Sequence, residues 1–392
     1  LRYQHTATLL PNGKVLITGG SIGYNTYTNT CEIYDPSTGN WSVTDSMSES
    51  RFMHSATLLP NGTVLVIGGL NNVGNIVSTC EIYNPSTNSW SSTGSISNPT
   101  WQHSATLLPN GKVLLAGGLH SSGQTNTCQL YNPSTGTWSN TASLQNARTE
   151  HHAILLNTGK VLVAAGNNNK SLGSCELYDP NSGTWSATAS LNTVRTGCGF
   201  IKLPNGKVLI AGGNYWPSGA YVNNYINSVE VYDPAVGTWS TTANMNTARY
   251  LTVVTLLPNG KAFFTGGLLN ASTHQASCEI YTDTCSAPSI PILSSSSSTN
   301  CGTQLTTINI QSGNLYNAAS WQWFTSSCGG TSAGTGSSIS LYPTATTTYY
   351  VRGQGGCVSS GNCANITITV NSSSPTWTNT TSLNTARYAA TA

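Results

Sequence analysis

The stretch RFMHSATLLPNGTVLVIGG, residues 51–69, opens a unit that continues through CEIYNPSTNSW, residues 80–90. The chain restates this unit about six times. The residue three positions after the opening Arg marks each copy, and it is found at His5, His54, His103, His151, Cys198 and Thr252. The steps are therefore 49, 49, 48, 47 and 54 residues. Such a period indicates a repeat architecture in which each copy is one supersecondary unit.

Each unit contains four strand signals. HSATLL is a short apolar strand, and the PNG that follows it is typical of a tight turn. TVLVIGG is a nearly continuous apolar strand, as expected where both faces are buried. CEIY is the third strand, and a fourth begins with one of the tryptophans Trp41, Trp90, Trp138, Trp185, Trp239 and Trp377. Four antiparallel strands repeated six times predict an all-β, six-bladed β-propeller.

An insertion interrupts the last repeat. The position equivalent to Thr252 recurs at Ala390, 138 residues on, which exceeds one repeat by the length of a small β domain. We therefore expect propeller blades over 1–284, an inserted domain over 285–373, and a last propeller strand with the start of a further repeat over 374–392. The segment ARYAATA, 386–392, leaves open a seventh blade in a longer parent chain or a strand offered to a neighbouring subunit.

The Arg, double glycine, Tyr and Trp at these spacings resemble kelch repeats, as in kelch propellers and the galactose-oxidase group. The resemblance covers 1–284 and 375–392. The inserted segment carries SWQWF at 320–324 and NITITV at 365–370, and it resembles the immunoglobulin-like modules of secreted bacterial surface proteins. Trp321 or Trp323 is the expected buried tryptophan. The resemblance implies the fold, which by itself says little about function.

Cysteine usage divides the chain. Cys31, Cys80, Cys128, Cys175 and Cys278 each open a third strand, which predicts small buried hydrophobes. A second group lies in or beside the insertion and is typical of a disulfide framework: Cys285, Cys301, Cys328, Cys357 and Cys363. Three connectivities are open for the last four, of which we favour Cys301–Cys357 with Cys328–Cys363. An oxidising, extracellular or cell-surface location follows.

The charge pattern argues against several functions. Only 7 % of residues are charged and the net charge is +2, so no basic patch for nucleic acid is expected. No apolar run has transmembrane length. Eight of the twelve acids occupy positions of the repeat, leaving Asp45, Glu49, Glu150 and Asp283. A glycosidase needs two carboxylates that flank one bond, and these four are too scattered. We expect no enzymatic activity and no cofactor.

The repeat arginine and the strand-three glutamate are predicted to form an ion pair in each blade. The third repeat has Thr100 in place of the arginine, and Gln129 replaces the acid in the same repeat. Loss of both charges together favours pairing, because one charge left alone in a buried site would be costly.

The repeated histidines leave two interpretations open, a metal site or a hydrogen-bonding role. Cys198 and Thr252 at the equivalent positions favour hydrogen bonding, so we expect no metal. The galactose-oxidase resemblance implies a copper site with two tyrosines, one crosslinked to a cysteine, and two histidines, one of them from the immunoglobulin-like domain. His274 is the last histidine of the chain, which argues against that site.

Aromatic residues in the variable loops are the candidate ligand contacts. They comprise Tyr215, Trp216, Tyr221 and Tyr225 in the loop 214–228, together with Tyr24, Tyr27 and Trp101. Glu150 and His152 form a second candidate cluster on a crossover. The alternative is that the aromatics pack the long loop onto its own blade.

The expected function is a non-catalytic extracellular or cell-surface protein for binding or adhesion, which contacts glycans or protein partners through its variable-loop face. One alternative is a self-associating subunit of an extracellular fibre or surface assembly. A second is a galactose-oxidase-like copper oxidase, although the positions of the histidines argue against it.

Overall fold

The computed structural model describes residues 2–216, 224–270, 273–283, 289–301, 303–315, 318, 320–354 and 362–371. It divides into two compact units, Leu1–Thr282 and Asp283–Ala392. No helix in these described ranges has the length and apolarity needed to cross a membrane.

The first unit is a series of antiparallel sheets, five with four strands and a sixth with three in the described residues. Two short hairpins, over 21–27 and 119–124, lie between strands of the first and third sheets. The strands are β1 (Thr6–Leu9), β2 (Val15–Thr18), β3 (Ser21–Gly23), β4 (Thr26–Tyr27), β5 (Cys31–Asp35), β6 (Asn40–Thr44), β7 (Ser55–Leu58), β8 (Val64–Ile67), β9 (Cys80–Asn84), β10 (Ser89–Thr93), β11 (Ser104–Leu107), β12 (Val113–Ala116), β13 (Leu119–His120), β14 (Gly123–Gln124), β15 (Cys128–Asn132), β16 (Thr137–Asn140), β17 (His152–Leu155), β18 (Val161–Ala164), β19 (Cys175–Asp179), β20 (Thr184–Thr188), β21 (Gly199–Lys202), β22 (Val208–Ala211), β23 (Val229–Asp233), β24 (Thr238–Thr241), β25 (Val253–Leu256), β26 (Ala262–Thr265) and β27 (Cys278–Tyr281).

The core lies between consecutive sheets. The second strand of a sheet, such as β8, is buried along its whole length because neighbouring sheets cover both of its faces. Leu65 and Ile67 of β8 pack in one cluster with Val113 and Leu115 of β12. Burying one such side chain stabilises the fold by roughly 1.5–3 kcal/mol. Successive inner strands β1, β7, β11, β17, β21 and β25 also contact one another in chain order.

Polar links repeat between the outer strands. The Tyr131 hydroxyl hydrogen bonds to the Thr93 hydroxyl at the end of the preceding sheet, with 2.6 Å between the oxygens. Trp138 Nε1 donates to the Gly94 carbonyl of that sheet at 2.9 Å. Tyr178 makes the same bond to Thr141 at 2.8 Å. The repeated Tyr and Trp therefore hold each sheet against the one before it.

The predicted all-β propeller with an immunoglobulin-like domain is confirmed. The number of blades remains a prediction, because Trp377 and the segment 374–392 lie outside the described residues. Four of the five repeat cysteines are buried free thiols as expected, but Cys278 is exposed. It begins β27, which is the edge strand of the three-stranded sheet, so the prediction of burial was wrong there.

The second unit contains two sheets, ordered β28-β30-β33 and β29-β35-β34-β31-β32. Trp323 and Trp321 are both buried, in a core shared with Ile308 and Ile368. A disulfide joins Cys328 to Cys363, while Cys357 of the other predicted bridge lies outside the described residues. The strands are β28 (Ile292–Ser295), β29 (Thr299–Cys301), β30 (Thr306–Ser312), β31 (Ser320–Thr325), β32 (Thr331–Thr335), β33 (Ser338–Leu341), β34 (Thr347–Gln354) and β35 (Ala364–Asn371).

Candidate functional site

The crossovers between sheets and the loops between second and third strands meet on one side of the propeller unit, here called the loop face. The residue after each repeat arginine position bridges the residue after the pair of small residues that follows the second strand. Examples are Thr149 with Asn167, after Ala165-Gly166, and Thr196 with Asn214, after Gly212-Gly213. In the fifth repeat, Asn214 also bridges Tyr225 of the long loop. Crossover and loop residues therefore present their side chains side by side.

An arginine latch lies beneath this face. Arg51 donates to the carbonyl oxygens of Gly68 at 3.0 Å and Thr79 at 2.8 Å. It also binds the Glu81 carboxylate at 2.9 Å, and both side chains are buried. Glu81 in turn accepts the backbone N–H of Ser48 at 2.8 Å. The latch thus joins the crossover, the second strand and the third strand of one blade.

The same pair forms wherever both charges are present: Arg2–Glu32, Arg148–Glu176, Arg195–Glu230 and Arg249–Glu279. In the third repeat Gln129 donates instead to Ser97 of the crossover and to Asn140 at 3.0 Å. The sequence prediction of a repeated ion pair agrees with these contacts, and the latch belongs to the scaffold.

The residue two after each repeat arginine has a left-handed backbone, at Gln4, Met53, Gln102, Glu150, Gly197 and Leu251. This conformation is costly for residues other than glycine and needs support from the surrounding structure. Because the left-handed conformation recurs in every repeat, we attribute it to the turn that leads into the inner strand. The side chains at this position vary, so the scaffold presents different chemistry from blade to blade.

Glu150 occupies the left-handed position of the fourth repeat, and its carboxylate binds side chains from three other repeats. Its Oε1 accepts Gln102 Nε2 at 3.1 Å, and its Oε2 accepts Thr196 Oγ1 at 2.9 Å. The Tyr250 hydroxyl, 100 residues away in the chain, donates to the same Oε2 at 3.3 Å. All three donors are neutral. The carboxylate is half-buried and held from three sides.

A hydrogen bond and a glycine fix this arrangement. Thr149 Oγ1 donates to Gln102 Oε1 at 2.8 Å, so the amide of Gln102 must turn its N–H groups toward Glu150. Gly197 has φ +57, and a Cβ at that position would overlap the Tyr250 ring. Glycine is therefore required for Tyr250 to cross the fifth repeat and reach Glu150.

The long loop reaches the same region. The Ser171 N–H donates to the Trp216 carbonyl at 2.6 Å, and the Trp216 N–H donates to Ser171 Oγ at 3.0 Å. Ser171 Oγ also donates to the Asn214 carbonyl at 3.0 Å. We name this region the polar sector, comprising Gln102, Thr149, Glu150, Ser171, Thr196 and Asn214.

Sequence reasoning selected Glu150 but missed the other five members. The sequence did contain an indication of these residues. The residue after the repeat arginine position is aromatic in four repeats (Tyr3, Phe52, Trp101 and Tyr250) and threonine in the other two, at Thr149 and Thr196. The polar sector lies where the repeats depart from their own pattern.

The predicted aromatic contacts separate into packed and exposed residues. Tyr27 stacks on Phe52 with 4.5 Å between ring centroids, and Tyr225 stacks on Tyr250 at 5.2 Å. Both therefore pack onto the next repeat, which corrects the alternative that they pack onto their own blade. Tyr24 is 93 % exposed at the tip of the β3–β4 hairpin.

Tyr215 and Trp216 are half-buried beside the polar sector, and Trp101 is half-buried on its bridge to Leu119. Tyr221 lies outside the described residues.

The expected cluster of Glu150 with His152 does not form. His152 belongs to β17 and stacks on Phe200 with 5.5 Å between ring centroids. Burial lowers the pKa of His152 to about 4, so the imidazole is neutral in the folded protein. Alternation along the strand sends His152 between sheets, while Glu150 lies before the strand on the loop face.

The repeated histidines join neighbouring inner strands. His103 Nε2 hydrogen bonds to Ser55 Oγ at 2.8 Å, and His151 Nε2 hydrogen bonds to Ser104 Oγ at 2.9 Å. His54 makes the equivalent bond to Thr6 at 3.2 Å. Burial lowers the pKa of His54 to about 3 and that of His103 to about 4.

These imidazoles do not fit a copper site of the galactose-oxidase type. Each Nε2 is used between strands, and the described residues contain no group of three or more His, Cys, Asp or Glu arranged for a metal ion. The hydrogen-bonding interpretation therefore matches the geometry.

A groove of about 350 Å³ lies away from the polar sector, among the short turns of the first two repeats. Its walls include Asn12, Asn61 and Asn84. Asn12 and Asn61 already bind turn N–H groups through their side-chain oxygens. The groove is built from residues that recur in the repeats and offers no distinctive chemistry.

The sheets, latches and loop face define the class as a repeat-built β-propeller, here combined with an immunoglobulin-like domain. The model for the KLHDC2/KLHL20/DRC7 kelch-repeats domain matches residues 4–213, and the kelch motif matches 204–246. The chain belongs to the kelch-repeat family. Residues 288–372 match the CHU_C-associated Ig-like domain.

Solved structures with the same fold include a fungal alcohol oxidase of the AA5 family in complex with copper. It has 16 % identity and a TM-score of 0.61 over 94 % of this chain and 85 % of that one. YjhT has 15 % identity and a TM-score of 0.58 over 71 % of this chain and 94 % of that one. No curated protein matches the chain. At these identities the likeness concerns the fold alone.

Proposed function

We propose that this protein is a non-catalytic extracellular or cell-surface binding protein that contacts glycans or protein partners through Glu150 and the half-buried residues Tyr215 and Trp216 of the loop face. One observation carries the proposal. Glu150 is the sole carboxylate of the polar sector, and it is held by neutral donors with neither a second acid nor a basic group among its described hydrogen bonds.

That arrangement suits recognition better than catalysis. Hydrolysis of a glycosidic bond needs two carboxylates at a set separation, and the strand-three glutamates near this face are occupied by the arginine latches. Binding requires only a few fixed polar groups beside apolar area. Trp216 and Tyr215 supply such area next to Asn214.

The location rests on two features. The Ig-like match is of a bacterial surface type, and Cys328–Cys363 is a disulfide, a bond that persists in oxidising compartments.

The test is a glycan array and a surface-protein pull-down with the full chain. Tyr215→Ala and Trp216→Ala should reduce capture, whereas Lys112→Ala, in the short turn between β11 and β12, should not. Screens for oxidase and glycosidase activity, with metal analysis, should be negative. Turnover in either screen, or capture that is unchanged in both loop variants, would overturn the proposal.

Self-association into a fibre or surface assembly is a second candidate, favoured by one exposed edge. β6 is the outermost strand of the first sheet, and on it Trp41 is 58 % and Val43 is 79 % exposed. Other sheets have Ser92, Asn140, Ala187 and Thr241 at the position of Val43, and none of these is a large apolar residue. An apolar edge strand is a template for pairing with another chain.

The occupant of this edge would be a second copy of the protein. Sedimentation and electron microscopy should show assemblies that Val43→Lys abolishes and that the matched change Ser92→Lys leaves intact. A chain that is monomeric at high concentration would exclude this candidate.

A further inference from the structure

We infer that the polar sector recognises a cationic group, an ammonium or a guanidinium, carried by the ligand of this binding protein. The inference rests on the proposed function and adds the chemical class of the ligand. It is drawn from the surroundings of one side chain, Glu150, whose negative charge the described structure leaves without an opposite charge.

Glu150 lies outside the repeated pattern of paired acids, and side chains from three other repeats hold it. Eight acidic side chains have a cationic partner in the described structure, five of them a repeat arginine and three a turn lysine. The chain has 14 lysines and arginines, and all but Arg387 are described. None of these 13 described cations forms an ion pair with Glu150. A half-buried carboxylate with no cation among the described residues is a site that a ligand charge can complete.

The hydrogen bonds leave room for such a ligand. A carboxylate has about four lone-pair positions, and the donors from Gln102, Thr196 and Tyr250 occupy three. Oε1 accepts one described bond, so its second lone pair faces no described donor. Because the amide of Gln102 is fixed by Thr149, the carboxylate cannot turn away without breaking this network. The acceptor is positioned before the ligand arrives, which lowers the ordering cost of binding.

The charge on the Glu150 carboxylate favours a cationic donor over a neutral hydroxyl. Any donor makes a charge-assisted hydrogen bond to a carboxylate, and a cationic donor adds a Coulomb attraction that a neutral hydroxyl lacks. The three donors already present are neutral, so they orient the carboxylate without cancelling its charge. His151, beneath the loop face, carries no positive charge that would repel a cation, because burial lowers its pKa well below the usual value. An incoming ammonium or guanidinium therefore meets an attractive field.

The experiment uses the full chain and four small probes at low salt: the amides of Nα-acetyl-arginine, Nα-acetyl-citrulline, Nα-acetyl-lysine and Nα-acetyl-norleucine. Calorimetry should show binding of the arginine and lysine probes and at least tenfold weaker binding of their neutral counterparts. Glu150→Gln should weaken the cationic probes by roughly tenfold or more, and added salt should do the same. Asp45→Asn removes a crossover charge outside the polar sector and should leave affinity unchanged.

Equal affinity for the arginine and citrulline probes, or for wild type and Glu150→Gln, overturns the inference. The probe comparison on the unaltered protein decides the matter even if the variant does not fold. Capture of a neutral glycan that depends on Tyr215 and Trp216, without binding of the cationic probes, would refute the cation and keep the proposed function. Capture and probe binding that are both absent would refute both.

Discussion

The arginine latch gives the sharpest stability prediction. Arg51→Thr would leave Glu81 buried without its cation, and Glu81→Gln would leave Arg51 buried without its anion. The double variant recreates the pair of neutral residues that the third repeat has at Thr100 and Gln129. The two single changes and their combination form a thermodynamic cycle within one blade.

The magnitude follows from burial. The Arg51 side chain is 0 % and the Glu81 side chain 4 % exposed, so neither charge can be satisfied by water once its partner is removed. Breaking such a pair costs about 3–5 kcal/mol. We expect about 4 kcal/mol of lost unfolding free energy for each single variant. The double variant should lose about the same amount as either single one, which gives a coupling of about 4 kcal/mol.

Denaturant unfolding followed by tryptophan fluorescence measures the four free energies. The matched control is the third repeat, where Thr100→Arg alone should destabilise and Thr100→Arg with Gln129→Glu should recover stability. Single-variant losses that simply add, with coupling below about 0.5 kcal/mol, would refute the structural role of the ion pair.

Three further predictions concern other parts of the molecule. Burial lowers the pKa of His54 to about 3 and that of His103 to about 4 in the folded protein. Each histidine therefore contributes its full stability above the unfolded pKa of about 6.5, and this stability is lost as the pH falls toward the folded pKa. Between pH 7 and 5 the loss should be about 2 kcal/mol per histidine, and urea unfolding of His54→Gln should show a correspondingly smaller pH dependence than the exposed control His274→Gln. Gly197→Ala should displace Tyr250 and detach it from Glu150, seen as lost protection of the Tyr250 environment in hydrogen exchange, while Gly183→Ala in an outer turn should leave that region unchanged. Reduction of Cys328–Cys363, which spans 35 residues, should destabilise the immunoglobulin-like unit by about 4 kcal/mol, and a Cys328→Ser, Cys363→Ser variant with undiminished unfolding free energy would contradict this.

Periodicity allowed much of this fold to be predicted. The apolar run of β8, the turn after it and the tryptophan of β10 each recur at a nearly constant spacing, and each has a short-range physical cause. The joint loss of Arg and Glu in the third repeat predicted the latch, because a buried charge without its partner is not tolerated. These inferences needed only comparison between copies.

The polar sector was less accessible from the sequence. His152 was grouped with Glu150 because the two are neighbours in the chain, yet strand alternation separates their side chains. Tyr250 was not selected at all, since its contact with Glu150 spans 100 residues and two repeats. A repeat pattern describes equivalent positions and contains no information about contacts between positions that differ.

The sequence alone thus determined the sheets, their order along the chain and the residues that hold each blade together, because these follow from hydrophobic period, turn chemistry and charge pairing within about 50 residues. Only the tertiary structure decided which exceptional side chains meet. Glu150, Gln102, Thr196 and Tyr250 come together because consecutive blades lay their crossover residues side by side on the loop face. The scaffold is encoded by what the copies share, and the site arises from the places where they differ.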